Sequence, residues 1–184
     1  MHLHQVQFPE GGKTVCSEYL VSGINGVDDA KLTSSSQMGQ EAHHAPSDAR
    51  LYSESSISSA WVSCIFDGNQ YIQVQFHRKT NITAVLLQGR KETHANQFVT
   101  SFYVSYSSDG SVWAWLSSVD QQPILFPGNT DRNTVVKSTF NTSITASYLR
   151  ITSKTWSGFP VLRFDVSGCY DVTENGKSDK CSYW

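Results

Sequence analysis

The sequence has few charged side chains and no marked excess of either sign. Only 16% of the 184 residues are Asp, Glu, Lys or Arg, below the roughly 25% of an average soluble domain. The formal net charge of -2 disfavours proteins that hold nucleic acid or membranes through a broad basic surface. Low charge combined with many Ser and Thr residues is typical of extracellular β proteins.

Long hydrophobic runs and catalytic motifs are also missing. No apolar stretch approaches the roughly 20 residues that span a bilayer, and the start of the chain lacks the charged and apolar regions of a signal peptide. The sequence contains no G-x-S-x-G, no H-E-x-x-H and no phosphate-binding glycine loop. We therefore predict that the protein is not an enzyme. Its hydrophobic content of 39% suffices for one folded domain.

The four cysteines form no C-x-x-C pair and have no histidine at zinc-finger spacing, so disulfides are favoured over a metal site. Cys16 and Cys169 flank nearly all of the patterned sequence, and we expect them to pair and tie the first strand to the last. Cys64 either pairs with Cys181 or is a buried free thiol.

Two N-glycosylation sequons begin at Asn81 and Asn141. Glycosylation and disulfide formation both belong to oxidising compartments. We predict a secreted protein or the extracellular part of a membrane protein.

Hydrophobic and polar residues alternate through the middle of the chain with the two-residue period of a β-strand. In residues 71–76, for example, Ile72, Val74 and Phe76 share one face. An Asp-Gly pair at 109–110 follows the pattern of residues 98–106 and indicates a hairpin turn. Further strand patterns cover residues 31–35, 82–88, 112–115, 134–140, 147–152 and 161–167.

Many short fragments in a fixed order carry a family resemblance. They include Gln70-Tyr-Ile-Gln-Val-Gln-Phe76, Leu87-Gln-Gly-Arg90, Tyr148-Leu-Arg-Ile151 and Leu162-Arg-Phe-Asp-Val-Ser-Gly-Cys169. Each fragment is weak alone, but together they make the chain resemble the discoidin family, also called coagulation factor V/VIII type C domains. The resemblance covers residues 16–169, preceded by an N-terminal extension at 1–15 and followed by a polar tail or linker at 170–184.

The resemblance implies an all-β fold, a discoidin-like jelly-roll β-sandwich of about eight strands of the galactose-binding-domain type. It also implies that loops at one end form the ligand surface. Members of the family bind galactose-type sugars, phosphatidylserine membranes, collagen or other proteins, and the fold does not choose among them. The chain departs from the fucose-binding relatives, because Glu92 stands where their Arg-x-Asp motif has Asp. It also lacks the second cysteine near Val161 that the collagen-receptor branch has.

Two loops that the resemblance places side by side supply most candidate ligand-binding residues. Imidazoles, planar polar groups and an aromatic ring suit sugar hydroxyls and the apolar faces of sugars; the alternative is a solvated polar rim. The candidates are Met38, Gln40, Glu41, His43, His44, Arg90, Glu92, His94, Trp156 and Phe159. The same loops carry Asn96 and Gln97.

Metal binding is a further hypothesis. The acidic turn of Asp28 and Asp29 offers oxygens to a structural calcium ion, although a plain turn is the favoured reading. Zinc held by loop histidines is a weaker alternative. No other cofactor is expected.

The five tryptophans include three that we assign to the core, at positions 61, 113 and 115, whereas Trp156 is the best candidate for exposure because Ser157 and Gly158 follow it. The leading functional hypothesis is a lectin-like module that recognises cell-surface or matrix glycans. Adhesion or assembly through a protein partner is the alternative, anionic phospholipid is less favoured, and nucleic acid is not expected.

Overall fold

The structure, a computed structural model, describes residues 16–39, 44–52, 60–91 and 96–170. These residues form two 3-10 helices, Asp29–Lys31 and Pro46–Ala49, and nine strands. The strands are β1 (Glu18–Tyr19), β2 (Leu32–Ser34), β3 (Trp61–Val62), β4 (Tyr71–Gln88), β5 (Phe98–Ser107), β6 (Ala114–Trp115), β7 (Phe126–Pro127), β8 (Val136–Ser157) and β9 (Val161–Tyr170).

Strands β4 and β8 form a long antiparallel ribbon that bends back on itself. The first half of β4 pairs with the second half of β8, the second half of β4 pairs with the first half of β8, and the register shifts between Gln75 and Thr80. The ribbon folds over so that its two ends come close together. Arg90, just after β4, donates its backbone N–H to the carbonyl of Gln97, just before β5. Strand β5 in turn pairs with the end of β8. The halves of the ribbon therefore lie in opposite layers of a β-sandwich.

The front layer contains β2, β5, β6 and β7 with the halves of β4 and β8 that pair with them, and the back layer contains β1, β3 and β9 with the other halves. The prediction of a jelly-roll β-sandwich is confirmed. Residues 71–76 and 82–88, predicted as separate strands, are one bent strand, and so are 134–140 and 147–152. The charged run His77–Lys79 interrupts the hydrophobic pattern, but it lies exposed at the bend while the strand continues through it.

The core fills the space between the two layers. Ile72, Val74 and Phe76 are buried as predicted. Burial of these side chains with the inward residues of β5, β8 and β9 supplies the main stabilising force. Trp61 is fully buried, and its indole N–H donates to the carbonyl of Ser36 at 2.8 Å.

The predicted disulfide between Cys16 and Cys169 is present and joins the segment before β1 to the end of β9. Thr83 reinforces this junction, since its hydroxyl lies 3.1 Å from the carbonyl oxygens of both Cys16 and Ser167. Cys64 is a free thiol, but it is exposed rather than buried because it follows β3 into a surface loop. Cys181 lies outside the described residues. None of the helices in the described part of the chain has the length and apolarity to cross a membrane.

Candidate functional site

The chain segments that leave the sandwich opposite the disulfide form one surface, which we call the loop end. It comprises the described residues 36–39, 44–46, 63–67, 89–91, 96–97 and 156–160. Backbone hydrogen bonds tie these segments together, from Met38 to Val62 at 2.8 Å and from Ser63 to Pro160 at 3.2 Å. The loop end therefore rests on the rigid starts and ends of strands, which is the usual arrangement of a binding surface.

Arg90 is the centre of a polar cluster at the loop end. One terminal nitrogen of its guanidinium donates to the side-chain carbonyl of Gln97 at 2.9 Å, and the other lies 3.1 Å from Nε2 of His44. The backbone hydrogen bond from Arg90 to Gln97, 3.0 Å long, closes the loop between β4 and β5 and brings the two side chains together. The prediction that the two candidate loops are neighbours therefore holds for the described residues.

His44 orients Arg90. A guanidinium only donates, so Nε2 of His44 accepts and the ring proton lies on Nδ1. Nδ1 lies 3.2 Å from the carbonyl oxygen of Met38, which accepts that proton. Both nitrogens of His44 are thereby used within the protein, and the residue acts by positioning Arg90.

Two amide side chains in the cluster keep hydrogen-bonding capacity for a ligand. Within the described part of the chain, the Nε2 of Gln97 and the whole side-chain amide of Asn96 make no hydrogen bond. The hydroxyl of Ser157 donates to the backbone carbonyl of Asn96 at 3.3 Å. Gly158 has φ = +66°, and a Cβ there would lie 3.0 Å from Gln97, so glycine allows this close approach.

The loop end also carries an aromatic patch. The ring centroid of Phe66 is 5.3 Å from that of Phe159 and 6.2 Å from that of Trp156. Phe66 and Ile65 are exposed, at 47% and 46%, while Trp156 and Phe159 are half-buried. Phe159 and Met38 also pack against the small buried cluster under β3. The loop end thus combines apolar rings with amide and guanidinium groups.

The structure brings together part of the predicted set. Met38, His44, Arg90, Trp156 and Phe159 all lie at the loop end. The remaining candidates, Gln40, Glu41, His43, Glu92 and His94, lie outside the described residues, and their roles stay predictions. Sequence reasoning missed Ile65 and Phe66, although an apolar pair directly before the Asp-Gly turn at 67–68 is a signal of exposed apolar surface.

The acidic turn does not fit a calcium ion. Arg50 reaches it, and its guanidinium donates to the carbonyls of Val21 and Val27 and to the carboxylate of Asp29 at 2.6 Å. The oxygens that a calcium ion would need are therefore already bonded to the cationic side chain of Arg50. The side chain of Asp28 makes no capping hydrogen bond to the following helix. Among the described residues no three of His, Cys, Asp or Glu are grouped as a metal site. The prediction that the protein needs no cofactor, with calcium at Asp28 and Asp29 as a minor alternative, stays a prediction.

The two sequons lie in different surroundings. Asn141 is exposed on β8. Asn81 lies between β8 and β9, and its side-chain oxygen is buried without a hydrogen-bond partner. The threonine of its sequon, Thr83, serves the disulfide junction. Glycosylation, which stays a prediction, is therefore better accommodated at Asn141.

Two expectations about the tryptophans are wrong, because Trp115 rather than Trp156 is the exposed ring and Trp156 is half-buried. Trp61 is buried as predicted, but Trp115 is 46% exposed on the outer surface of the front layer, and Trp113 is half-buried there. Both follow the hairpin turn after β5, where only the two residues of β6 pair with the sheet. A tryptophan at the edge of a sheet with no layer above it stays accessible.

Comparison with solved structures finds the same β-sandwich fold in other proteins. Discoidin II of Dictyostelium discoideum is 26% identical with a TM-score of 0.64, covering 74% of this chain and 53% of that chain. The family 32 CBM from C. perfringens NanJ, solved in complex with galactose, is 20% identical with a TM-score of 0.53 and shares the fold. That likeness covers 75% of this chain and 94% of that module.

Sequence comparison then identifies the family. The profile of the F5/8 type C domain matches residues 31–166. Coagulation factor VIII of Sus scrofa is 30% identical over 155 residues, and hemocytin of Bombyx mori is 32% identical over 152 residues. These matches cover 84% and 82% of this chain but only 7% and 5% of the relatives. The chain belongs to the F5/8 type C, or discoidin, domain family, and it spans a small part of these relatives.

Proposed function

We propose that this domain is an extracellular, non-catalytic module that binds glycans through its loop end. The observation that carries the proposal is the hydrogen-bonded cluster of Arg90, His44 and Gln97 at the same loop end as Phe159, which packs with Met38 against the residues under β3. Sugar recognition combines directional hydrogen bonds to hydroxyls with apolar contact to a ring face, and both are available here within one surface.

The geometry gives each group a distinct task. Asn96 and the free amide nitrogen of Gln97 donate to sugar oxygens, and the side-chain carbonyl of Asn96 accepts from a hydroxyl. His44 and the backbone of the β4–β5 loop hold Arg90 and Gln97 in place before a ligand arrives. Such preorganisation raises affinity by reducing the ordering cost of binding.

A single shallow sugar site binds weakly, so we expect function to depend on several sites acting together. The disulfide and the exposed sequon at Asn141 support an extracellular location. Galactose and the disaccharide of N-acetylgalactosamine and galactose, each present in the solved structure of one family 32 module, are the first probes.

The test is a glycan array with and without calcium, followed by calorimetry on the best ligand. The double variant Asn96→Ala with Gln97→Ala removes the free amides and is expected to lower affinity by at least about tenfold. Gln122→Ala, at an exposed amide in the 118–122 turn, is the matched control and should bind normally. Unchanged glycan affinity in the double variant contradicts the proposal.

A protein or anionic phospholipid partner is the second candidate. The exposed pair Ile65 and Phe66, continuous with Phe159 and Trp156, favours it, because contiguous apolar surface marks interaction sites. The double variant Ile65→Ser with Phe66→Ser distinguishes the candidates. The second candidate is supported over the first if the parent protein binds no glycan on the array and the double variant loses binding to phosphatidylserine vesicles.

A further inference from the structure

A second cleft lies on the outer surface of the front layer, away from the loop end. It encloses about 280 Å³ and we call it the side cleft. Arg150 and Thr152 of β8 form its floor, and Tyr71, Trp113 and Trp115 form its walls. These residues occupy the strand positions between those that face the core, because Ile72, Leu149 and Ile151 are buried. The side cleft is therefore built by the register of the sheet.

The register fixes the neighbours of Arg150. It lies opposite Gln73 of β4 on one side and opposite Ser105 of β5 on the other, and Ser105 in turn lies opposite Trp115 of β6. Nε of Arg150 donates to the side-chain oxygen of Gln73 at 2.9 Å.

Two aromatic rings cover the guanidinium of Arg150. Its central carbon is 4.0 Å from the centroid of Tyr71 and 3.6 Å from the centroid of Trp113. Tyr71 approaches from the β4 side and Trp113 from the β6 side, because β8 lies between β4 and β5 in the sheet. Trp113 is itself held by a hydrogen bond from its indole to the carbonyl of Gly110 at 3.1 Å. The rings thus fix the plane of the guanidinium.

The terminal nitrogens of Arg150 remain available. In the described part of the chain they make no hydrogen bond, and Nε alone is used. Partial burial lowers the pKa of Arg150 while Tyr71 opposes that shift, and the group stays protonated with reduced hydration. A fixed, partly dehydrated guanidinium whose two terminal nitrogens are unused matches the planar geometry of a carboxylate.

The described side chains that line the side cleft carry charge of one sign only. Among the described residues that line it, none is acidic. Lys154 follows on the same strand, with its ammonium 5.6 Å from the ring centroid of Tyr103. Tyr103 contacts Trp115 edge to face at 5.7 Å, and Trp115 is 46% exposed. A negatively charged group and a flat apolar surface are therefore accommodated side by side.

We propose that the side cleft is a second ligand site, which binds an acidic sugar residue of a glycan through its carboxylate. The carboxylate accepts from the two terminal nitrogens of Arg150, and the sugar ring contacts Trp115. Thr152 and Asn69 lie within the cleft and offer hydroxyl and amide groups to the sugar. The site is separate from the loop end and does not depend on the function proposed there.

The experiment follows the indole N–H resonances of the isotope-labelled protein during titration with a disaccharide of glucuronic acid and N-acetylglucosamine. The signals of Trp113 and Trp115 are expected to shift, and that of buried Trp61 is not. The same disaccharide with its carboxyl reduced to a hydroxymethyl group is expected to bind at least about tenfold more weakly.

Two variants test the residues. Arg150→Lys keeps the positive charge but loses the paired donors, and Trp115→Ala removes an exposed ring; each is expected to weaken binding by about tenfold. Arg78→Lys is the matched control, because Arg78 also lies over a ring, that of Tyr170 at 5.0 Å, but at the disulfide end. The loop-end variant Asn96→Ala with Gln97→Ala should also bind the disaccharide normally.

Several results would overturn the proposal. Equal affinity for the reduced disaccharide does so, and so does unchanged affinity in both variants. If acetate or inorganic sulfate binds as tightly as the disaccharide, the cleft is a small-anion site and not a sugar site. If a glutamate-rich peptide binds more tightly, the glycan assignment is wrong. Should Arg150→Lys fail to fold, Trp115→Ala decides, because its ring is exposed.

Discussion

Asp165 shows how one buried carboxylate organises the chain around it. It is fully buried, and its two oxygens accept backbone N–H groups from Val21, Ser22 and Val166 at 2.7 to 2.9 Å. Burial raises the pKa of this carboxyl, and the N–H donors oppose the rise. The residue joins the segment after β1 to strand β9.

Asp165→Asn is expected to lower the free energy of unfolding by about 3 kcal/mol. The amide keeps one acceptor oxygen and turns its NH2 group toward backbone donors that then have no partner. Urea unfolding followed by circular dichroism measures the loss. Asp28→Asn, at an exposed aspartate, is the control, and a midpoint shift no larger than that of the control would contradict this role.

Residue-scale predictions succeeded where local pattern decides the outcome. The alternation in residues 71–76 identified buried Ile72 and Val74, because one strand face must meet the core. The contact of Arg90 with His44 joins residues 46 positions apart. Only the family resemblance indicated that their loops are neighbours, and nothing local indicated that the two side chains bond to each other.

At the scale of elements, three turns share one device. Asp67, Asp109 and Asp131 each accept backbone N–H groups from residues two or three positions later. In Asp109 and Asp131 backbone donors are the leading cause of a lowered pKa, and in Asp67 the side-chain amide of Gln70 is. These turns fix the entry into β4, β6 and β8.

The lowered pKa of Asp109 makes stability sensitive to acid. The folded-state pKa of Asp109 lies below the unfolded-state value of about 3.8. The stabilisation from this carboxylate is therefore fully present well above the unfolded-state value, and it is lost as pH falls through the folded-state value. Asp165, with its raised pKa, has the opposite sign, and its contribution decreases as pH rises above the unfolded value.

Asp109→Asn is therefore expected to flatten the fall in melting temperature between about pH 4 and pH 2. Melting curves of the variant and of the parent protein across this range measure the effect. Asp120→Asn, at an exposed aspartate whose side chain makes no turn hydrogen bond within the described residues, is the control. An equally steep acid decline in Asp109→Asn would show that the turn carboxylate does not contribute.

Element boundaries were the weakest part of the sequence prediction. The hairpin at Asp109-Gly110 was correct, since Gly110 has φ = +78° and its sequence signal is local. The continuity of β4 and of β8 was missed, because His77–Lys79 reads as a turn. Whether a polar run ends a strand or bends it depends on the partner strand, which lies more than 60 residues away.

For the whole molecule, the disulfide is the dominant covalent restraint. It joins residues 153 positions apart and so closes nearly the entire domain. The chain-entropy account assigns about 5 kcal/mol to a loop of this length.

Replacing both Cys16 and Cys169 with Ser is expected to lower the melting temperature by about 10 to 20 °C. Calorimetry of the variant against its parent measures the shift, with Cys64→Ser in both proteins to remove the exposed thiol. A variant that melts within a few degrees of its parent would mean that the unfolded chain gains little freedom when the bridge is lost.

The position of this disulfide has a consequence for longer polypeptides. Cys169 lies near the last residue of β9 and the loop end lies at its first, and ten strand residues separate them by about 30 Å. The described chain therefore begins and ends at the same pole, so any domain joined to it would attach on the side away from the loop end. In a polypeptide with several copies of this domain, each loop end would stay accessible because the connecting segments lie at the opposite pole. The number of accessible loop ends would then rise with the number of copies.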